Sequence, residues 1–101
     1  MLIYNVTTKV SWAIHEAWVK WMLEKHIPEV MEKGGFSEYR FARLLETDET
    51  EGPTYTTQFY AANRDVYERY LAEHATALRK DALDNWGDQF IGFRSLMELV
   101  N

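Results

Sequence analysis

The sequence has no cysteine, and this absence excludes disulfide bonds, thiolate metal ligands and cysteine nucleophiles together. It also lacks any run of about eighteen uncharged apolar residues, the length that a membrane-spanning helix needs. The opening segment, MLIYNVTTKV, contains no basic region followed by a long apolar stretch. We therefore expect a cytoplasmic protein that does not enter a membrane.

Clusters of basic residues are missing as well. The chain has 16 acidic and 11 basic side chains, for a formal charge of −5. Because nucleic-acid-binding domains usually carry a basic face, we do not expect nucleic acid as a partner. His15 and His26 would lie about 16 Å apart along a helix axis, too far to share one metal ion. The sequence contains no cofactor motif, and we expect neither a metal nor a cofactor.

Aromatic residues, by contrast, are abundant. They make up 15% of the 101 residues, and hydrophobic residues make up 47%. Large aromatic side chains can build a core even in a small protein. We expect one folded domain, residues 1–101, because the chain contains no linker or low-complexity segment.

The first third of the sequence predicts a strand and a helix. Residues 2–8 are β-branched and aromatic, which is typical of a strand. From residue 12 to about residue 33, apolar residues recur at intervals of three and four, which indicates a helix. Ser11 suits the N-cap position, and Gly34 with Gly35 supplies a left-handed end.

Three further segments have the composition of strands. Residues 36–46 and 53–62 are separated by the hairpin loop TDETEG, and residues 91–100 form the last candidate strand. Between the third and fourth strands, Asn63 or Asp65 opens a second helix. We expect the helix to run to about residue 86, where a glycine follows.

The predicted order of elements is βαββαβ. This order is that of the ferredoxin-like α+β fold, with a four-stranded antiparallel sheet and two helices on one of its faces. The uncovered face should then show polar residues at every second strand position. Instead, apolar residues occur at both odd and even positions of the second and fourth strands, among them Phe36, Tyr39, Phe41, Ala42, Phe93, Leu96 and Met97. We therefore predict a homodimer in which two sheets pack face to face with the helices outside.

Several segments carry a resemblance to known proteins over the whole chain. These are IYNVT, WVKWM, HIPEV, FSEYRFARLLE and YLAEHATALR. With the βαββαβ order they resemble the dimeric α+β barrel superfamily, which includes antibiotic-biosynthesis-type monooxygenases, haem-degrading oxygenases and several isomerases. More closely, the chain resembles the uncharacterised family domain of unknown function 4286. This resemblance implies the fold and the dimer, but no catalytic residue.

Three histidines are predicted to lie on the inner sides of the helices. His15 and His26 lie in the apolar arc of the first helix, and His74 lies in that of the second. One interpretation is structural, with each ring bonded to a backbone carbonyl or a nearby carboxylate. The other is functional: relatives of this fold hold ligands between helices and sheet, so His26, His74 and Asn5 are candidate ligand-binding residues there. Neutral imidazoles at such a position can anchor a ligand or transfer a proton.

Pro28 interrupts the first predicted helix two residues after His26. Proline removes one helical hydrogen bond, and its ring clashes with the carbonyl of Glu24. We expect a kink or restart at this point, which would turn His26 toward the sheet or free a carbonyl to bind it.

Two functions remain open. The first is a homodimer that binds a small apolar or aromatic molecule, with a cofactor-independent monooxygenase or isomerase as its catalytic form. The second is a non-catalytic interaction or structural protein whose aromatic side chains fill the core. An RNA-binding module of the same topology lacks support, because the strands carry no basic-aromatic motif.

Overall fold

Two long helices cover one face of an antiparallel sheet in the computed structural model, which describes all 101 residues. The elements in chain order are β1 Leu2–Val10, α1 His15–Trp21, α2 Ile27–Gly34, β2 Glu38–Arg43, β3 Thr54–Ala61, α3 Arg64–Tyr70, α4 Thr76–Trp86 and β4 Phe90–Glu98. The strand order is β2-β3-β1-β4. This arrangement is the predicted ferredoxin-like βαββαβ fold. None of the helices combines the length and the apolar character that crossing a membrane requires.

Local interactions explain where the first long helix begins and ends. The helix starts at His15, three residues later than predicted, because the preceding residues form a turn. Ser11 holds this turn: its Oγ accepts from the backbone N–H of Ala13 at 3.2 Å. At the other end Gly35 has φ 69° and ψ 18°, the left-handed conformation that glycine adopts without strain.

The second long helix has the predicted start. Asn63 is its N-cap, and the side-chain Oδ1 accepts from the backbone N–H of Val66 at 3.1 Å. The helix ends at Trp86, and Gly87 follows with φ 58°. The second strand differs more from its prediction. It covers six residues rather than the expected eleven, because residues 36–37 and 44–46 lie outside the sheet ladder.

Each long helix contains a π-helical turn. Met22–His26 joins α1 to α2, and the backbone N–H of Ile27 donates to the Met22 carbonyl five residues earlier. The wider turn lies where the ring of Pro28 would clash with a carbonyl in a regular α-helix, so the expected distortion is present. A second π-helical turn, Leu71–Ala75, joins α3 to α4 without any proline. Proline alone therefore does not account for this feature of the fold.

The strand register determines which side chains face the helices. Val6 of β1 is paired with Thr57 of β3 and with Arg94 of β4. Since side chains alternate along a strand, even-numbered residues of β1 and β4 face the helices, together with odd-numbered residues of β2 and β3. The buried core on this side includes Tyr4, Val10, Trp18, Met22, Ile27, Val30, Phe36, Phe59, Ala61, Tyr70, Ala75 and Leu78.

The opposite face of the sheet is uncovered, and its composition only partly follows the prediction. On β4 it presents exposed apolar side chains, Ile91 at 72% and Phe93 at 63% exposure. On β2, however, the register places Glu38 and Arg40 on this face. The apolar residues that the sequence suggested for both faces of β2 therefore lie mainly on the helix side. The uncovered apolar surface is concentrated on β4.

The loop between β2 and β3 is held to the start of the first helix. Trp12 Nε1 donates to the Glu49 carbonyl at 2.8 Å, and the Glu49 carboxylate accepts two bonds from Arg43 Nη2 at 2.9 and 3.0 Å. Gly52 passes so close to β1 that an added Cβ would lie 1.8 Å from the Val10 carbonyl oxygen. This acidic segment is thus anchored by specific contacts rather than being a freely solvated turn.

Candidate functional site

A cavity of about 180 Å³ lies between the helices and the sheet. Twelve of its 17 lining residues are hydrophobic, and none is an Asp or a Glu. The aromatic and aliphatic part of the wall includes Trp18, Trp21, Met22, Val30, Phe59, Leu78 and Phe90. An apolar cavity of about 150 Å³ can hold a benzene molecule. This cavity therefore has room for about one aromatic ring with a small substituent.

His26 lines the cavity from the end of the first π-helical turn. Its ring stacks on that of Trp21, with centroids 4.8 Å apart and planes 21° from parallel. Burial lowers the pKa of His26 below its ordinary value of 6.5, although Glu29 and Asp81 act in the opposite direction. The imidazole is therefore neutral at pH 7. Its Nδ1 is buried and has no hydrogen-bond partner, so no freed backbone carbonyl binds it.

Two tyrosines bring hydroxyl groups to the same cavity. Tyr4 of β1 and Tyr70 of the second long helix are both buried, and their ring centroids lie 5.7 Å apart. The Tyr4 hydroxyl accepts from Arg79 Nη2 at 3.4 Å. Burial raises the pKa of Tyr70 strongly, so its hydroxyl keeps its proton at neutral pH and can donate a hydrogen bond.

Two arginines complete the polar part of the wall. Arg79 lies on α4 and is half-buried, while Arg94 lies on β4 and is exposed. Neither forms a salt bridge, although Arg40, Arg43 and Arg64 all pair with nearby glutamates. Both guanidinium groups act to lower the pKa of Tyr70, against the larger effect of burial. The site is thus apolar, with unpaired positive charge.

The structure does not bring the three candidate residues of the sequence together. Only His26 lines the cavity. Asn5 is buried on the opposite face of the sheet, where its Nδ2 donates to Thr7 Oγ1 at 3.1 Å. His74 has a side chain that is 31% exposed, with Nε2 3.8 Å from a carboxylate oxygen of Glu73. It is not among the cavity-lining residues.

The remaining histidine has a structural partner. His15 Nε2 lies 2.7 Å from the hydroxyl oxygen of Tyr55, and the ring also packs edge-on against Trp12. This arrangement fits the structural interpretation for that residue. No group of three or more His, Asp or Glu side chains is placed to hold a metal ion.

Sequence reasoning missed Arg79. On the second long helix this residue lies beside Ala75, Leu78 and Ala82, apolar residues that face the sheet. Helical spacing alone could therefore have placed Arg79 next to this apolar face. An arginine at the edge of such a stripe is usually interpreted as a solvated side chain, because the guanidinium group can reach water. Arg94 falls within the last predicted strand, residues 91–100, but the sequence did not determine which face of the sheet it occupies.

Fold and cavity together define the protein as a ferredoxin-like α+β domain with an apolar cavity between its helices and its sheet. The chain belongs to the family Domain of unknown function (DUF4286), whose model matches residues 1–100. Among curated proteins, none matches the chain in sequence.

Solved structures support this fold assignment. A candidate antibiotic biosynthesis monooxygenase from Deinococcus radiodurans is 18% identical, with a TM-score of 0.71 over 100% of this chain and 94% of that one. A variant of SnoaB, a cofactor-independent oxygenase from Streptomyces nogalater, is 13% identical, with a TM-score of 0.67 over 99% and 94%. A dimeric ferredoxin-like protein from an uncultured marine organism is 14% identical, with a TM-score of 0.62 over 99% and 96%. At these identities the likeness concerns the fold.

Proposed function

We propose that this protein binds a small apolar or aromatic molecule in the cavity between its helices and its sheet. The observation that carries this proposal is the cavity itself: a predominantly apolar wall with a few convergent polar groups is the usual character of a small-molecule site. The same observation weighs against the alternative of a non-catalytic protein with a filled core, because the aromatic side chains leave about 180 Å³ between them.

The catalytic form of this proposal is a cofactor-independent oxygenase or isomerase. The fold likeness to SnoaB, a cofactor-independent oxygenase, motivates this reaction class. Chemistry of this kind needs a group that can take a proton from an apolar substrate in a largely water-free site. The neutral imidazole of His26 is such a group, since a ring nitrogen that carries no proton can accept one. The Tyr70 hydroxyl can donate a hydrogen bond to a substrate oxygen.

A homodimer is the second part of the proposal. The uncovered sheet face carries Ile91 and Phe93, which are largely exposed in the single chain, together with Met97. A second copy of the same surface would remove this apolar area from water. The same face holds Asn5, whose buried Oδ1 has no hydrogen-bond partner in the single chain. The dimeric ferredoxin-like protein of similar fold is a further argument for this assembly.

The binding proposal is tested by filling the cavity. Ala82→Leu places three additional carbon atoms against the cavity wall, and Ala77→Leu adds the same atoms at an exposed position of the same helix. We expect NMR titration with toluene to shift the methyl signals of Val30 and Leu78 in the wild type and in Ala77→Leu, but not in Ala82→Leu. Cavity filling should leave stability unchanged or raise it by up to about 1 kcal/mol.

Native mass spectrometry of freshly purified protein complements the titration, because it reports subunit number and any retained small molecule together. A wild-type protein that shows no toluene-induced shifts and retains no compound would contradict the binding proposal and favour the interaction protein.

A further inference from the structure

We infer that the ligand of this cavity is an anion: a single aromatic ring whose carboxylate or phenolate group lies against Arg79 and Arg94. This inference rests on the proposed binding function and names the chemical class of the molecule bound. It follows from the polar side chains of the cavity wall, which include two guanidinium groups and an indole N–H but no carboxylate.

Buried polar atoms without partners are concentrated at the cavity. Five such side-chain atoms occur in the protein, and three belong to cavity-lining residues: Trp21 Nε1, His26 Nδ1 and Arg79 Nε. Indole and guanidinium nitrogens only donate hydrogen bonds. Because a buried donor without an acceptor destabilises the protein, a small shift of these side chains toward the acceptor oxygens of a ligand would be favourable.

The distribution of charge also favours an anionic ligand. The protein has five more acidic than basic side chains overall, as its formal charge of −5 records. Nevertheless its cavity is lined by two guanidinium groups and by no carboxylate. The two carboxylates that act on His26 have another partner: Asp81 and Glu29 lie 2.9 and 3.6 Å from Lys25 Nζ. Arg79 and Arg94 therefore have no competing anion within the chain.

The two arginines are next to neighbouring positions on the same face of β1. Arg79 is held by the Tyr4 hydroxyl on β1, and Arg94 is paired across the sheet with Val6, two residues further along the same strand and face. A planar guanidinium group matches the geometry of a carboxylate and binds it with two parallel hydrogen bonds. The volume of about 180 Å³ limits the apolar part to about one ring.

The probes are three compounds of similar shape: benzoate, benzamide and benzylamine, which are anionic, neutral and cationic at pH 7. 4-Nitrophenolate at pH 8 serves as a second anion and separates carboxylate from phenolate recognition. Isothermal titration calorimetry at constant salt gives the dissociation constants. We expect one of the anions to bind at least about tenfold more tightly than benzamide, since hydrogen bonds to charged groups are stronger than neutral ones. Benzylamine should bind most weakly.

Two variants test whether these arginines cause the preference for an anion. Arg79→Met and Arg94→Gln should each weaken binding of the preferred anion by about fivefold or more and leave benzamide binding within about twofold. Arg94 is exposed, so its replacement tests the inference even where Arg79→Met lowers stability. Arg69→Gln is the matched control: this arginine also has no salt bridge, but it does not line the cavity. Arg69→Gln should leave the dissociation constants of the preferred anion and of benzamide unchanged.

The outcomes separate this inference from the function on which it rests. If benzamide or benzylamine binds as tightly as both anions, or if both variants keep the anion preference, the anionic ligand is wrong and small-molecule binding stands. If none of the four probes binds the wild-type protein but toluene does, the inference is wrong and the binding proposal stands. If toluene also causes no shifts and no compound is retained, both are overturned.

Discussion

Single side chains give the cavity its chemical character. The half-buried imidazole of His26 is stacked on Trp21 with its Nδ1 out of contact with water, and two guanidinium groups also line the cavity without a carboxylate partner. An uncompensated polar group inside a protein lowers stability. Groups of this kind are common where a protein binds another molecule, because the bound molecule then supplies the missing partners.

The half-buried position of His26 predicts a specific pH dependence of stability. Its pKa in the folded protein is below 6.5, so protons bind more readily to the unfolded chain. The contribution of this residue to stability is complete above pH 6.5 and is lost as the pH falls from 6.5 toward the folded-state pKa. His26→Gln removes this titration. We therefore expect the free energy of unfolding to fall less between pH 7.5 and pH 5.5 in the variant than in the wild type.

Urea unfolding at several pH values measures this difference. His74→Gln is the control, because it removes a histidine outside the cavity and leaves His26 intact. The part of the pH dependence that His26→Gln removes should remain in this variant. Parallel pH dependence in the wild type and His26→Gln would show that the buried ring does not titrate as the structure implies.

At the scale of elements, local signals and tertiary contacts contribute differently to the two long helices. The second helix begins at a side-chain cap, Asn63, which satisfies the backbone N–H of Val66. The first helix has no side-chain bond at its own N-cap, Ile14. It is preceded by a turn whose position is set by Ser11 and by the bond from Trp12 to the β2–β3 loop. The Asn63 cap was predicted from the sequence, but the predicted N-cap of the first helix, Ser11, was wrong: it lies three residues before Ile14 and holds the preceding turn.

Removal of the Asn63 cap should lower the stability of the protein by a measurable amount. Asn63→Ala leaves the N–H of Val66 without its acceptor, and we expect a loss of about 1 kcal/mol in the free energy of unfolding. Asn63→Asp keeps an acceptor oxygen and adds a negative charge near the positive end of the helix, so it should stay close to the wild type. Chemical denaturation of the three proteins makes the comparison. Equal losses in both variants would mean that the amide group, rather than the cap bond, matters at this position.

The whole molecule is divided by its sheet into two unlike sides. One side holds the aromatic core and the cavity, covered by the helices. The other side is uncovered, polar near Asn5 and apolar along β4. A large exposed apolar strip on a sheet usually marks a surface that binds another molecule. The proposed dimer would place the two strips together and leave each cavity on the outer side of its own sheet.

This assembly makes a prediction about one residue. Phe93→Glu places a charge in the middle of the uncovered face, where 63% of the Phe93 surface is exposed in the single chain. Because burying an unpaired charge is strongly unfavourable, the variant should sediment as a monomer at concentrations where the wild type is a dimer. Leu23→Glu, which changes an exposed apolar residue on the helical side, is the control and should remain dimeric. A dimeric Phe93→Glu protein, or a monomeric wild type, would contradict face-to-face packing.

The sequence by itself determined the order of elements and much of their positions. Helical spacing, the glycines after each helix and the β-branched segments act through local backbone preferences, so they can be read one segment at a time. The same local logic placed His26 on the inner side of its helix. It also predicted a distortion near Pro28, which takes the form of a π-helical turn.

Only the tertiary structure decided which side chains meet. The face occupied by Asn5 and Arg94 depends on the register between β1 and its two neighbours, and a shift of one residue would reverse both. Arg79 lines the cavity because α4 packs against the sheet close to Tyr4. Arg79 and Tyr4 are in contact although they are 75 residues apart in the chain. Long-range packing of this kind leaves no periodic signal in the sequence. The cavity and its unpaired donors therefore became visible only when helices and sheet were seen together.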